Sequence, residues 1–154
     1  FNNGKWRVIQ KPEWVELVAK TGVPITIYAN KPLNEKLDLD AKAQANLSAY
    51  LADKGLEPSI VIHRGHSYHL RSTIEQLAPS AKLVILGGCG GYQNLHDVLE
   101  ICPSAQIIST KQVGTGVINK GLINEISETL RAGQNLNWPS LWNNMSKQLG
   151  LKYK

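Results

Sequence analysis

The stretch SIVIHRGHSYH, residues 59–69, is a short apolar run that ends among histidines: His63, His66 and His69 are three of the four in the chain. A second stretch, KLVILGGCGGY, residues 82–92, repeats the plan with a cysteine, Cys89, set between Gly87–Gly88 and Gly90–Gly91. Neither run alternates apolar with polar positions. Each therefore reads as a strand buried on both faces, the form that strands take inside a parallel sheet.

Working outward, helical and strand patterns take turns. PEWVELVAKTG (12–22) has a proline at a helix start, apolar residues Trp14, Val15, Leu17 and Val18 at helical spacing and Gly22 as a stop, which predicts a helix. VPITIYA (23–29) predicts a strand, and NKPLNEKLD (30–38) a loop. DLDAKAQANLSAYLADKG (38–55) predicts an amphipathic helix with Asp38 or Asp40 near its start and Gly55 at its end. STIEQLA (72–78) is a short helix or turn, NLHDVLEIC (94–102) a helix closed by Pro103, and AQIIST (105–110) a further strand. GVINKGLINEISETLRAG (116–133) and WPSLWNNMSKQLG (138–150) complete the chain as helices. The expected fold class is α/β, a three-layer α/β/α sandwich with a mostly parallel sheet and right-handed crossovers.

Length and composition fit this. A chain of 154 residues with 42% apolar and 19% charged residues is long enough to bury one core without disulfides or a structural metal. No apolar stretch approaches a membrane span, so no membrane-crossing helix is expected. The net charge of +5 is spread over scattered lysines and arginines, not gathered into a basic stripe, and nucleic acid is not an expected partner. Two cysteines, Cys89 and Cys102, do not make a disulfide framework. The chain opens on Phe1 without an initiator methionine or a signal peptide, so residues 1–154 are expected to be a single domain excised from a longer polypeptide, the rest of which is then a partner. No compartment follows from these features.

In an open parallel sheet, ligands bind in the crevice beyond the carboxyl ends of the strands. His66 lies just past one predicted strand and Cys89 just past the next. On neighbouring strands, at a spacing of roughly 4.8 Å, both open onto one rim. An imidazole beside a thiol makes the thiolate accessible. Glycines around Cys89 permit a tight turn and the close approach of a substrate backbone, and a helix starting near Asn94 aims its positive end at the turn. Against this stands the plain reading in which Cys89 is a small residue in a tight turn and His66 a loop residue. His63, inside its strand, reads as a packed or hydrogen-bonded core histidine. His96 reads as helix surface, Cys102 as a small core residue, and His69 stays open between the surface and a partner role.

Three rival chemistries fit less well. His63, His66, His69 and Cys89 are suitable zinc ligands, but three imidazoles spaced at every third residue across a strand end do not converge without a sharp bend. No metal and no cofactor is therefore assigned. GGCGG fits a G-x-C-x-G nucleophile elbow, but the histidine of such enzymes lies well downstream, and nothing beyond His96 serves. GGCGGY lacks the G-x-G-x-x-G spacing of a dinucleotide site, which leaves only weak phosphate binding for this loop.

An apolar strand ending in Gly-His, VIHRGHS with His66, followed by one ending in a small residue and cysteine, LVILGGC with Cys89, resembles the caspase-like cysteine peptidases: caspases, legumain, gingipain, clostripain and separase. The resemblance spans residues 23–133 and keeps the family's order, histidine before cysteine. It implies a cysteine endopeptidase acting on a peptide or protein substrate, with Cys89 attacking the carbonyl and His66 protonating the leaving amine. It further implies oxyanion donors from the backbone amides of Cys89 and Ser67, where Ser67 stands at a position the family usually fills with glycine. The loop after the following strand, STKQVGTG, then offers Thr110, Lys111, Gln112 and Thr115 as substrate contacts, with Lys111 either favouring an acidic side chain or simply solvated. The alternative is a non-catalytic binding or interaction module on the same fold.

Overall fold

The computed structural model describes residues 1, 3–34, 37 and 39–150. Among them are six strands in two separate three-stranded sheets and five α-helices, a mixed α/β architecture with one parallel sheet. The chain divides into two compact units, Phe1–Ala29 with the residues from Val117 onward, and Asn30–Gly116.

The second unit holds the parallel sheet, β4 (Ile60–His63), β5 (Leu83–Leu86) and β6 (Gln106–Ser109), in the order β4-β5-β6. Each crossover carries a helix: α2 (Leu70–Glu75) between β4 and β5, and α3 (Leu95–Ile101) between β5 and β6. β5 is buried at every position, as its unbroken apolar run requires of a central strand. Its Val84 and Leu86 join Leu70, Ile74 and Leu77 from the α2 segment and Val98 and Cys102 from the α3 segment in one core cluster. α1 (Leu39–Asp53) reaches α2 through a hydrogen bond from Thr73 to Gln44, 3.0 Å. Its end is a Schellman cap: Gly55 has φ +63° and donates to Ala52 O (3.0 Å), while the Leu56 N–H donates to Leu51 O (2.9 Å). At its start Asp40 accepts from the Leu33 N–H, 2.9 Å; Asp38, the other predicted start residue, lies outside the described residues, as do Glu35 and Lys36 of the predicted loop.

The first unit corrects two expectations. Residues 12–22 do not form a helix. Trp14–Ala19 is strand β2, paired antiparallel with β1 (Trp6–Gln10), a strand missing from the sequence reading, in the register Trp6↔Ala19 to Gln10↔Val15. Pro12 sits in the tight turn closed by the Lys11 N–H donating to Trp14 O (2.9 Å), the i+1 position that its fixed φ suits. The inward-facing residue of β2 is Glu16, bonded by the Trp14 indole N–H at 3.3 Å, so its burial pattern has no simple alternation. The second correction is that β3 (Thr26–Asn30) joins this hairpin, in the order β1-β2-β3, and not the parallel sheet.

Two helices complete the unit, α4 (Gly116–Arg131) and α5 (Trp138–Leu149), both as expected from the sequence. Asn137 caps α5 by accepting from the Ser140 N–H (3.0 Å), Pro139 occupies its first turn, and Gly150 ends it with φ +62°. Gly121 of α4 lets the Met145 and Leu149 side chains of α5 come close. Among the described residues no helix is long and apolar enough to cross a membrane.

Candidate functional site at the parallel sheet's carboxyl edge

The register of the sheet decides what meets at its rim. His63 of β4 pairs with Leu86 of β5, which pairs with Ser109 of β6. His66, Cys89 and Gln112 are each the third residue beyond those partners, so three successive loops advance in step. Pairing outlasts the strands: the Gly87 N–H donates to His63 O (3.0 Å) and the Thr110 N–H to Leu86 O (3.3 Å).

One position further, the loops of β4 and β5 run close enough to leave little room for a side chain between them. A Cβ on Gly88 would lie 3.1 Å from the Gly65 carbonyl oxygen and 3.3 Å from His63 Nε2. Gly65 directly precedes His66 and Gly88 directly precedes Cys89, so the two candidate reactive residues leave adjoining points of backbone. Both are exposed, and Cys89 is a free thiol.

The cysteine loop is braced from the other side by the loop after β6. The Gly90 N–H donates to Gln112 O (2.7 Å), the Tyr92 N–H to Thr110 O (3.1 Å), and the Thr110 hydroxyl to Gly88 O. A side chain on Gly114 would overlap the Gly87 carbonyl. Of the predicted substrate contacts, Thr110 and Gln112 are therefore tied to the Cys89 turn, Gln112 by its backbone, while Lys111 and Thr115 are exposed on the same loop. Gly90 takes φ +63°, the left-handed conformation that the tight turn demands of it. A 3-10 turn, Gly91–Asn94, separates Cys89 from α3. The expected helix start near Asn94 is present, but α3 has seven residues and begins beyond that turn, which weakens its field at the thiol.

The histidine loop is ordered by rings. His66 is extended (φ −69°, ψ 149°), and Ser67 opens a 3-10 turn, Ser67–His69, a right-handed conformation that serine takes without strain. The His66 ring stacks on Tyr68 at 5.1 Å between centroids and 7° between planes. Tyr68 also meets the His69 ring at 4.4 Å, and His69 Nε2 lies 3.9 Å from Asp40 Oδ2. Below them His63 is buried, with Nδ1 2.9 Å from the Thr73 hydroxyl and Nε2 3.1 Å from the His66 carbonyl oxygen. Burial pushes the His63 imidazole below its ordinary range, its hydrogen bond to His66 opposes that, and the nearby His69 adds to the fall.

The remaining candidates separate cleanly. His96 is exposed on α3 with Nε2 3.1 Å from Glu100. Cys102 is buried, its thiol donates to Ala78 O (3.2 Å), and burial pushes its pKa up. Both ring nitrogens of His63 are engaged by Thr73 and the His66 carbonyl; among the described residues no group of three or more His, Cys, Asp or Glu is arranged to hold a metal. Thr73, Gln44 and Gly114 support the rim and were missed from the sequence. A signal for the Gly65–Gly88 contact was present, since both glycines fall two residues past their strands. No protein family, no curated protein and no solved structure matches this chain.

Proposed function

We propose that the chain is a cysteine endopeptidase-like hydrolase of caspase-like type, with Cys89 as nucleophile and His66 as its acid–base partner. The three-layer sandwich and the family connectivity belong to this proposal. The observation that supports it most directly is the close approach of Gly88 to the Gly65 carbonyl across neighbouring parallel strands, which starts both side chains from adjoining places on the rim.

The chemistry follows from the two groups. The Cys89 proton passes to His66 and the thiolate adds to a peptide carbonyl carbon. The resulting oxyanion is met by the backbone N–H groups of Cys89 and Ser67. Collapse breaks the C–N bond while the His66 imidazolium gives its proton to the leaving amine. Water, deprotonated by His66, then cleaves the thioester and restores the thiol. Lys111, Gln112 and Thr115, exposed on the β6 loop, are the substrate contacts in this reading, and Thr110 braces the Cys89 turn beside them.

One observation favours the binding-module alternative: the exposed His66–Tyr68 stack is an aromatic surface as well as a catalytic support. Iodoacetamide labelling at neutral pH, read by mass spectrometry, separates the two. The hydrolase reading expects Cys89 to react faster than an ordinary free thiol and His66→Ala to slow it by about tenfold. Labelling at the ordinary rate, unchanged by His66→Ala, assigns the chain to the binding module, and a peptide-library cleavage profile then stays blank.

A further inference from the structure

We infer that His63 is a positioning residue that fastens the His66 loop to the Cys89 loop. The inference rests on the hydrolase reading for its catalytic consequence, but the fastening itself is a statement about structure. His63 closes β4 and is the buried end of the apolar run, so its ring is fixed on a strand and not on a loop. Its Nε2 holds the carbonyl of His66 at 3.1 Å. The same ring edge stands over Gly88, where an added Cβ would lie 3.3 Å from both Cδ2 and Nε2. The ring thus holds the His66 carbonyl and fills the space beside Gly88, while the His63 carbonyl accepts from the Gly87 N–H at 3.0 Å.

The hydrogen bonds specify a tautomer. A carbonyl oxygen only accepts, so the proton of the neutral ring sits on Nε2 and donates to His66 O. Nδ1 is then bare and accepts from the Thr73 hydroxyl; the Gln44 oxygen, which stands 3.0 Å from that hydroxyl as its acceptor, then has to give way to the amide NH2. On protonation of His63, Nδ1–H donates to Thr73 and the hydroxyl donates to the Gln44 oxygen, the orientation in which the amide stands here. The groups facing His63 are therefore Thr73 of α2, Gln44 of α1 through it, the backbone of Gly65 and His66, and the charge of His69. The Nε2–H bond to His66 is present in both states, while the α1–α2 side of the chain reverses.

The test joins NMR to labelling on the whole chain. In the wild type, ring nitrogen shifts at pH 7.5 should report an Nε2–H tautomer for His63, and the Gly65, His66 and Gly88 amides should share one acid midpoint with it. His63→Gln, which keeps a donor of similar reach without titrating, should abolish that shared midpoint and slow Cys89 labelling by no more than about twofold, whereas His63→Leu should slow it by about fivefold. An Nδ1–H tautomer, or Gly88 and His66 signals indifferent to His63, overturns the inference even if a variant fails to fold, because the wild type alone supplies those readouts. If His66→Ala leaves labelling unchanged while the NMR results hold, the hydrolase reading falls and the fastening stands. If His66→Ala slows labelling and a folded His63→Leu matches the wild type in rate and spectrum, the fastening falls alone.

Discussion

Cys89 and Cys102 carry the same thiol in opposite surroundings. Cys89 is exposed on a glycine turn, whereas Cys102 is sealed in the core with its proton on a carbonyl and its pKa raised by burial. Native protein should therefore take one iodoacetamide adduct and denatured protein two, counted by intact mass; a second adduct under native conditions would contradict the buried site. His63 gives a second residue-level prediction. Its folded pKa is depressed, so the folded state prefers the neutral ring, and the unfolded chain binds the extra proton first. The stability this contributes is complete above the unfolded value of 6.5 and is lost as pH falls from there through the lower folded value. Urea unfolding at pH 7.5 and 5.5 should show the wild type losing more stability than His63→Gln; parallel losses would remove the effect. At this scale the sequence was informative where a residue's surroundings come from its own neighbours, as with Cys89 among glycines. It was silent about Thr73 and Gln44, which reach His63 only through the packing of α1 and α2.

Glycines separate two kinds of constraint in the elements. Gly55 has φ +63° and open space around its Cβ direction, so Gly55→Ala meets only backbone strain at the α1 cap. The expected cost is about 1 kcal/mol, a fall of about 3 °C in Tm by calorimetry, with Cys89 labelling unchanged. Gly114 has no such φ, yet a Cβ there would overlap the Gly87 carbonyl. Gly114→Ala should push the β6 loop off the cysteine turn and change the Cys89 labelling rate along with stability; a variant identical to wild type in labelling would show that the brace is dispensable. Elements were legible where one signal dominated. The continuous apolar runs of β4 and β5 admitted one reading, and α1, α4 and α5 carried their stops with them. Residues 12–19 did not: Trp14, Val15, Leu17 and Val18 satisfy a helical stripe, while aromatic and β-branched residues also suit a strand. Pairing with Trp6–Gln10 settled the competition, since β1 supplies the hydrogen bonds that a lone run of this length lacks.

Across the molecule each unit has its own sheet and its own fastening. In the unit built from the two ends of the chain, Glu128 of α4 accepts from Arg131 at 2.8 Å, from the Trp6 indole at 2.8 Å and from Lys5 at 3.3 Å, tying β1 to α4. Arg131 also donates to Thr21 O and its hydroxyl, at 3.1 and 2.9 Å, and its own carbonyl accepts from the Val23 N–H at 2.8 Å. The guanidinium, with smaller help from the indole, Lys5 and Asn3, holds the Glu128 carboxyl down to about 2 from 4.5. A depressed carboxylate stabilises the fold above its unfolded value, and that contribution fades as pH drops from 4.5 through about 2. Glu128→Gln should lower Tm at pH 7 by about 3 °C, with the gap to wild type closing towards pH 2; a gap independent of pH would assign the loss to packing. The sequence by itself determined the local terms: which runs are buried on both faces, where helices stop, and that a histidine and a cysteine each follow a strand, because these depend on consecutive residues. Only the tertiary structure decided that the N-terminal segment is a hairpin with β3 beside it, that Glu128 gathers Trp6 and Arg131, and that Gly65 meets Gly88. The hairpin depends on a partner strand up to 13 residues away, and the other outcomes on partners tens of residues away or more, whose pairing energy no short window of sequence contains.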